Sequence, residues 1–189
     1  MKLQKILSRL ETKHPKKIDL SLNRTFNVLK KLGNPQDRLK NVITVVGTNG
    51  KFSCIKSLQS ILNQAGYKCN LYLSPHLQSY AERFVYNDSE IKEDVLANLL
   101  KEIDKITESE NLTLFEALTC AFLKYCEQYN DNISIIEAGL FHQFDATNVF
   151  KKNLLDLLFN NEFLIILEIS LFSCIFTNIF EFNNFTVFS

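Results

Sequence analysis

Residues 42–73 constrain the fold of this chain more than any other segment. Residues 42–46 form a continuous β-branched run, which is typical of a strand buried on both faces of a parallel sheet. A loop with two glycines follows, and residues 53–65 then carry apolar side chains at helical spacing until a glycine at position 66. Residues 69–73 indicate a second strand. The segment therefore predicts a strand, a helix and a strand in a βαβ unit.

The loop itself, residues 47–51 with the sequence GTNGK, suits the binding of phosphate. Phosphate is bound by backbone N–H groups that it can approach closely, by the positive end of a helix dipole and by a cation. Gly47, Gly50 and Lys51 meet these needs between a strand and a helix. The spacing differs from the usual GxxxxGK[ST], because the hydroxyl comes one residue later, at Ser53. The alternative is a glycine-rich turn whose lysine faces water.

Helix and strand patterns continue on both sides of this unit. Helical spacing appears in four further segments, residues 3–10, 22–32, 92–107 and 114–128. Residues 133–136 indicate another buried strand, which runs into Glu137. Because buried strands alternate with helices, the chain is predicted to have an α/β fold, with a parallel sheet flanked by helices and a phosphate loop.

The composition excludes several classes of function. The chain has 21 basic and 21 acidic residues, so no overall charge attracts it to nucleic acid or to an anionic membrane. Its five cysteines are odd in number and lack a CxxC pair, which disfavours a disulfide framework and a zinc site. The first residues are charged throughout and lack the apolar core of a signal peptide. We therefore expect a cytoplasmic monomer without nucleic-acid or membrane partners.

The composition changes abruptly near residue 150. Residues 1–150 contain every Gly, Pro, His, Ala and Arg of the chain, whereas residues 151–189 are rich in Phe, Leu, Ile and Asn. Residues 163–180 show no helical periodicity, strand alternation or turn signal. They indicate a frameshifted or degenerate end, which we favour, or a transmembrane helix, which Glu168 and the short length oppose. The predicted domain is therefore 1–150, followed by a tail over 151–189.

Several separate segments of residues 1–150 resemble one enzyme family. Their order and spacing are similar to those of the folylpolyglutamate synthase/dihydrofolate synthase branch of the Mur ligase superfamily. Besides GTNGK, the matching segments are IDLSL at 18–22, LGNP at 32–35, SPHL at 74–77, the Glu-Arg pair at 82–83, TLFE at 113–116, EAGL at 137–140 and DATN at 145–148. The SPHL and TLFE segments together distinguish this branch from the cell-wall Mur ligases.

The resemblance implies a reaction. In this family, ATP phosphorylates the carboxylate of dihydropteroate or a folate, and the amine of L-glutamate attacks the acyl phosphate to give an amide, ADP and phosphate. Catalysis of such a transfer depends mostly on positioning and on charge neutralisation by Mg²⁺ and cations. The chain is therefore expected to be an ATP-dependent, amide-forming ligase with ATP and Mg²⁺ as cofactors.

The resemblance also assigns roles to residues. The nucleotide phosphates are expected to contact Gly47, Thr48, Asn49, Gly50, Lys51 and Ser53. Mg²⁺ is expected to bind the oxygen atoms of Ser74 and Glu137, and Lys51 and Glu137 are the expected catalytic residues. The pteridine side is expected to be lined by Asp19, Leu20, Ser21, Thr113, Leu114, Phe115 and Glu116.

Most of these assignments also have a structural alternative. Ser74 could simply end a strand before a proline, and Glu137 could cap a neighbouring helix. Asp19 could be the N-cap of the next helix, and Glu116 lies in a first helical turn, where the helix dipole favours a carboxylate. His76 is expected to be a structural hydrogen-bonding residue rather than a base.

The match to the family is incomplete. Phe52 stands where the family has glycine after the lysine, and is expected to crowd the nucleotide. Phe141 and His142 replace a Gly-Gly pair, and Gln143 replaces a basic residue. The family's downstream histidine ligand, its carbamylated lysine and its C-terminal domain have no counterpart after residue 150.

A truncated domain is the expected consequence, with an open edge on its central strand and little capacity to fold alone. The expected function is that of an incomplete glutamate ligase. The alternatives are a nucleotide-binding half-domain without catalysis, a split enzyme that needs a second chain, and a membrane-tethered structural protein.

Overall fold

The computed structural model describes residues 2–12, 21–107, 112–139 and 145–150 in full, and the backbone of residues 155–160 and 163–167. Within these residues the α-helices are α1 (Lys2–Thr12), α2 (Asn23–Lys31), α3 (Lys51–Gln64), α4 (Glu93–Ile106) and α5 (Leu114–Cys126). The strands are β1 (Asn41–Gly47), β2 (Cys69–Tyr72), β3 (Phe84–Tyr86), β4 (Ser89–Glu90), β5 (Ile133–Glu137), β6 (Leu155–Asn160) and β7 (Phe163–Leu167). Short 3₁₀-helices span Pro35–Arg38, Tyr80–Arg83 and Glu127–Tyr129.

The strands form one sheet in the order β4-β3-β2-β5-β1-β6-β7. The four central strands, β2, β5, β1 and β6, are parallel, and β3, β4 and β7 are antiparallel to their neighbours. Because parallel strands end at the same edge of a sheet, the carboxyl ends of β1, β2 and β5 lie side by side. This edge carries the phosphate loop, Ser74 and Glu137.

Both faces of the sheet are covered by helices. On one face, Ile43 and Val45 of β1 pack with Ile55 and Leu62 of α3 in a buried apolar cluster. On the other face, the core contains Val42 together with the apolar sides of α1, α2, α4 and α5. Since neighbouring residues of β1 point to opposite faces, the two-sided burial explains the β-branched run in its sequence. The predicted α/β fold and the βαβ unit are confirmed.

The helices agree with the predicted segments, with small shifts at their ends. Helix α3 begins at Lys51 rather than at residue 53, so Lys51 and Phe52 lie in its first turn. Gly50 is the N-cap of α3, with a φ of 76° that a residue with a side chain rarely adopts. Helix α5 ends at Cys126 and continues as a 3₁₀-turn.

The prediction of an open edge on the central strand is wrong. Strand β6 pairs in parallel with β1, with Ile43 opposite Leu155, and β7 then pairs antiparallel with β6. Residues 163–167 were not predicted as a strand, because the composition of residues 151–189 was interpreted as a degenerate end, although FLIIL is a continuous run like that at residues 42–46. Strands β6 and β7 therefore belong to the sheet, although they lie in the tail over residues 151–189.

The described part of the chain contains no helix that is long and apolar enough to cross a membrane. The alternative of a membrane helix over residues 163–180 disagrees with the structure at 163–167, which form β7. The cysteines at positions 54, 69, 120 and 126 are free thiols, and Cys174 lies outside the described residues.

Candidate nucleotide and substrate site

The phosphate loop joins the end of β1 to the first turn of α3. Thr48, Asn49 and Gly50 are exposed, and a Cβ atom added to Gly50 would meet no atom within 4 Å. No side chain at the N-cap of α3 accepts a hydrogen bond from the first turn of the helix. The positive end of the α3 dipole is therefore accessible to an anion from outside.

Lys51 folds back over this loop. Its Nζ donates a hydrogen bond of 2.9 Å to the Gly47 carbonyl oxygen and lies 3.8 Å from Oε1 of Glu137. The Lys51 side chain is 18% exposed, so the alternative of a lysine that faces water is wrong. The ammonium group connects the carboxyl ends of β1 and β5, next to the loop.

Glu137 lies at the end of β5 and is 4% exposed. Its Oε2 accepts a hydrogen bond of 2.8 Å from the Ser74 backbone N–H, which holds the second residue after β2 against the end of β5. Burial raises the pKa of Glu137, whereas the Ser74 N–H, Lys51 and Arg83 each lower it. The structure thus brings together Lys51, Ser74 and Glu137, as the sequence analysis predicted.

A metal ion at this place would have oxygen ligands from Ser74 and Glu137. These are the hard donors that Mg²⁺ prefers, and Mg²⁺ commonly completes its shell with water and phosphate oxygens. Within the described residues, no group of three or more His, Cys, Asp or Glu side chains could hold a metal by itself. The donor set therefore fits a metal that is bound partly through its nucleotide.

A cavity of about 420 Å³ opens beside this cluster. It contains Ser74 and several of the residues predicted to bind the substrate, namely Ser21, Thr113, Phe115 and Glu116. Leu114 does not line the cavity, because its side chain packs against the hydrophobic core. Asp19 and Leu20 lie outside the described residues. The fold thus brings Ser74, a predicted metal ligand, into one cavity with residues that are predicted to line the pteridine side.

Thr113 and Glu116 form a capping box at the start of α5. The Thr113 hydroxyl accepts from the Glu116 N–H at 3.2 Å, and Oε2 of Glu116 accepts from the Thr113 N–H at 2.6 Å. The other carboxylate oxygen pairs with the Arg24 guanidinium at 3.1 Å and contacts the Thr25 hydroxyl at 3.5 Å. Glu116 therefore has the structural role that its place in a first helical turn suggested. Its contact with a ligand stays a prediction.

Six residues of the cavity wall had no role predicted from the sequence, namely Arg24, Pro75, Arg83, Gly139, Asp145 and Ala146. Arg83 and Asp145 lie within the matched ER and DATN segments, which was the signal available. Asp145 is buried, and its Oδ1 accepts hydrogen bonds from the Thr147 N–H at 3.0 Å and the Thr147 hydroxyl at 2.5 Å. Nothing in the local sequence marked Arg24, which reaches the cavity through its pairing with Glu116.

Comparison with known proteins identifies the family. No protein-family model matches the chain. The dihydrofolate synthase/folylpolyglutamate synthase of Escherichia coli is 40% identical over 143 residues, which cover 76% of this chain and 34% of that enzyme. The dihydrofolate synthetase of Saccharomyces cerevisiae is 36% identical over 134 residues, which cover 70% of this chain and 31% of that protein.

Solved structures of similar proteins point to the same family. Escherichia coli FolC in complex with DHPP and ADP superposes with a TM-score of 0.73 at 39% identity, over 78% of this chain and 36% of that chain. The Yersinia pestis bifunctional enzyme with AMPPNP and Mn ion gives a TM-score of 0.74 at 32% identity, over 79% of this chain and 36% of that chain. This chain belongs to the folylpolyglutamate synthase/dihydrofolate synthase family. It spans about a third of the length of the relatives it matches.

Phe52, which stands where the family has glycine, lines a different cavity from the one described above. The Phe52 side chain is 56% exposed and lines a cavity of about 450 Å³ that shares Ser74 and Pro75 with the first one. Its aromatic ring does not line the first cavity. Crowding of the nucleotide by Phe52 stays a prediction, and Phe141, His142 and Gln143 lie outside the described residues.

Proposed function

We propose that this chain supplies the nucleotide-binding and pterin-binding part of an ATP-dependent ligase that joins L-glutamate to dihydropteroate or a folate. The observation that carries the proposal is the convergence of Lys51, Ser74 and Glu137 beside the cavity, at the carboxyl ends of three parallel strands. Relatives solved with DHPP and ADP, and with Mn, AMPPNP and L-glutamate, support the same ligand classes.

The residues of the loop would bind the nucleotide. The backbone N–H groups of residues 48–51 and the positive end of the α3 dipole would receive the phosphate oxygens, with Ser53 two residues further on in the first turn of α3. The Lys51 ammonium would leave the Gly47 carbonyl for a phosphate oxygen, which is the more strongly charged acceptor. This movement keeps Lys51 close to Glu137, so the buried carboxylate retains a cation beside it.

Ser74 and Glu137 would hold Mg²⁺, which supplies charge neutralisation at the phosphates when it is bound. The cavity would orient the substrate so that its carboxylate lies at the Ser74 end. There an oxygen of this carboxylate attacks the terminal phosphorus of ATP and ADP leaves. The amine of L-glutamate then attacks the acyl carbon and inorganic phosphate leaves. The contribution of this chain is to position the two substrates and to screen their charges.

A second candidate function is nucleotide and pterin binding without turnover. It is favoured by the small donor set, because the described residues offer Ser74 and Glu137 but no third side chain of the His, Asp or Glu type beside them. A second chain would then have to complete the metal shell and the glutamate site. Incubation of the full chain with ATP, Mg²⁺, dihydropteroate and L-glutamate distinguishes the two candidates, because phosphate release that depends on all four compounds supports the complete ligase.

Binding of ATP with Mg²⁺ tests the proposed function directly. We expect saturable heat of binding on the full chain by isothermal titration calorimetry, and loss of this heat in Lys51→Ala. Lys40→Ala is the matched control, since Lys40 is an exposed lysine that pairs with Asp131 away from the loop. A folded wild-type chain that binds no ATP, or a Lys51→Ala variant that binds like Lys40→Ala, would contradict the proposal.

A further inference from the structure

Arg83 lies at the metal end of the cavity. Its carbonyl oxygen accepts a hydrogen bond of 2.9 Å from the Leu73 N–H, which fixes its backbone beside the residue that precedes Ser74. Its side chain lines the same cavity as Ser74. Arg83, the last residue of the 3₁₀-helix Tyr80–Arg83, therefore lies beside the chain that follows β2 and lines the end of the cavity where the reacting carboxylate would lie.

The charges of the cavity wall are not all paired. Of its two arginines, Arg24 forms an ion pair with Glu116 at 3.1 Å. The Oδ1 atom of the other wall carboxylate, Asp145, is bound by Thr147. Within the part of the chain that the structure describes, no carboxylate lies within ion-pair distance of Arg83. A half-buried guanidinium in this state attracts an anion into the cavity.

Two aromatic rings hold the Arg83 side chain in place. Its Nε donates a hydrogen bond of 3.1 Å to Nδ1 of His76, and its guanidinium carbon lies 5.3 Å from the centre of the Tyr80 ring. The rings of His76 and Tyr80 themselves lie 4.0 Å apart. Among the described residues, the Nε bond to His76 is the only hydrogen bond of the guanidinium, so its two terminal nitrogens can donate to a ligand, and they form a planar pair that suits a carboxylate or a phosphate.

We propose that Arg83 binds the reacting carboxylate of the pteroate-type substrate at the Ser74 end of the cavity, and that His76 is the positioning residue that orients its guanidinium. The assignment rests on the proposed function and deepens it, because it names the group that recognises the substrate carboxylate. Tyr80 stabilises the arrangement through its cation–π contact and its stacking against His76. The hydrogen-bonding role predicted for His76 would then be to orient the Arg83 guanidinium.

Binding of two pterins to the full chain tests this assignment. Pteroate carries the carboxylate, and 6-methylpterin lacks it but retains the ring. We expect Arg83→Gln to bind pteroate roughly tenfold to a hundredfold more weakly, which is the loss of a charge-assisted hydrogen bond, and to bind 6-methylpterin unchanged. Arg38→Gln is the matched control, because Arg38 pairs with Glu127 at 2.7 Å outside the cavity.

The positioning role of His76 is tested by two substitutions. His76→Leu removes the acceptor and should weaken pteroate binding selectively, whereas His76→Asn places an amide oxygen near the former Nδ1 and should restore it. A structural role alone would change the binding of both pterins together. If Arg83→Gln does not fold, as judged by circular dichroism, the contrast between the two His76 variants decides the question.

The possible outcomes separate the two proposals. A folded wild-type chain that binds neither pterin overturns the proposed function, and this assignment with it. Equal pteroate binding by wild type and Arg83→Gln overturns the assignment alone. Weaker pteroate binding in Arg83→Gln and His76→Leu, with recovery in His76→Asn, supports both.

Discussion

Gly139 lies where the chain leaves β5 and passes against the Asp145 carboxylate. A Cβ atom at position 139 would come well inside 3.0 Å of Oδ2 of Asp145, whereas ordinary contact begins near 3.4 Å. The added Cβ would also lie 3.3 Å from Cγ of Asp145, which is slightly too close, and 3.7 Å from a ring carbon of Phe115, which is an ordinary contact. The φ of Gly139 is not in the left-handed region, so its need for glycine comes from space and not from the backbone.

Gly139→Ala should therefore destabilise the chain through Asp145. The carboxylate must rotate away from the new methyl group, which disturbs the two hydrogen bonds that its Oδ1 accepts from Thr147. Overpacking of a well-packed site costs about 1–3 kcal/mol, and a hydrogen bond to a charged group contributes about 1.5–3 kcal/mol. We expect a loss of about 1–3 kcal/mol in the free energy of unfolding. The two costs do not add in full, because the Asp145 side chain can rotate and relieve part of the clash.

Urea denaturation of the full chain, followed by tyrosine fluorescence and circular dichroism, measures this loss. The decisive sample is the double variant Gly139→Ala/Asp145→Ala. Because Asp145→Ala removes the obstructing oxygen, the cost of Gly139→Ala should fall by about 1 kcal/mol or more in that background, which exceeds the usual deviation from additivity at independent sites.

Gly66→Ala is the control for the glycine effect. Gly66 has a φ of 87° and no atom within 4 Å of an added Cβ, so its cost of about 1–2 kcal/mol should come from the left-handed backbone alone. That cost should be the same with and without Asp145→Ala. Equal costs of Gly139→Ala in the two backgrounds would refute the steric explanation.

Three further predictions concern buried groups. Burial raises the pKa of Glu137, so its ionisation lowers stability as the pH rises from about 4.3 through the raised pKa. Glu137→Gln should remove this fall in a pH series of urea denaturations, and an unchanged series would contradict the burial argument. Glu116→Ala should cost about 3 kcal/mol in unfolding free energy, because it leaves Arg24 without its carboxylate, and Arg24→Met in the same background should recover part of it. Cys54 is half-buried, whereas burial raises the pKa of Cys126 more strongly, so maleimide labelling with peptide mapping should modify Cys54 before Cys126.

The local parts of the fold could be predicted because their signals lie within one short stretch of sequence. The β-branched run of β1, the glycines of the loop and the helical spacing of α3 are contiguous, and each follows from backbone geometry. Loop, helix and following strand were therefore correct to within two residues. Strand β6 was not predicted, because the change in composition near residue 150 led us to interpret residues 151–189 as a degenerate tail, and pairing with β1 is a long-range contact that the local pattern does not show.

The sequence by itself determined the phosphate loop, the α/β alternation and the family, because each depends on residue type and on spacing along the chain. Only the tertiary structure decided which charged and polar side chains are paired with one another. Arg24 and Glu116 are 92 residues apart and form an ion pair, while Ser74 and Glu137 are 63 residues apart and share a hydrogen bond. Arg83 is held by a neighbouring histidine and has no carboxylate partner among the described residues. Pairing of this kind depends on which strand ends meet at one edge of the sheet, and the order β2-β5-β1 is a property of the packed chain.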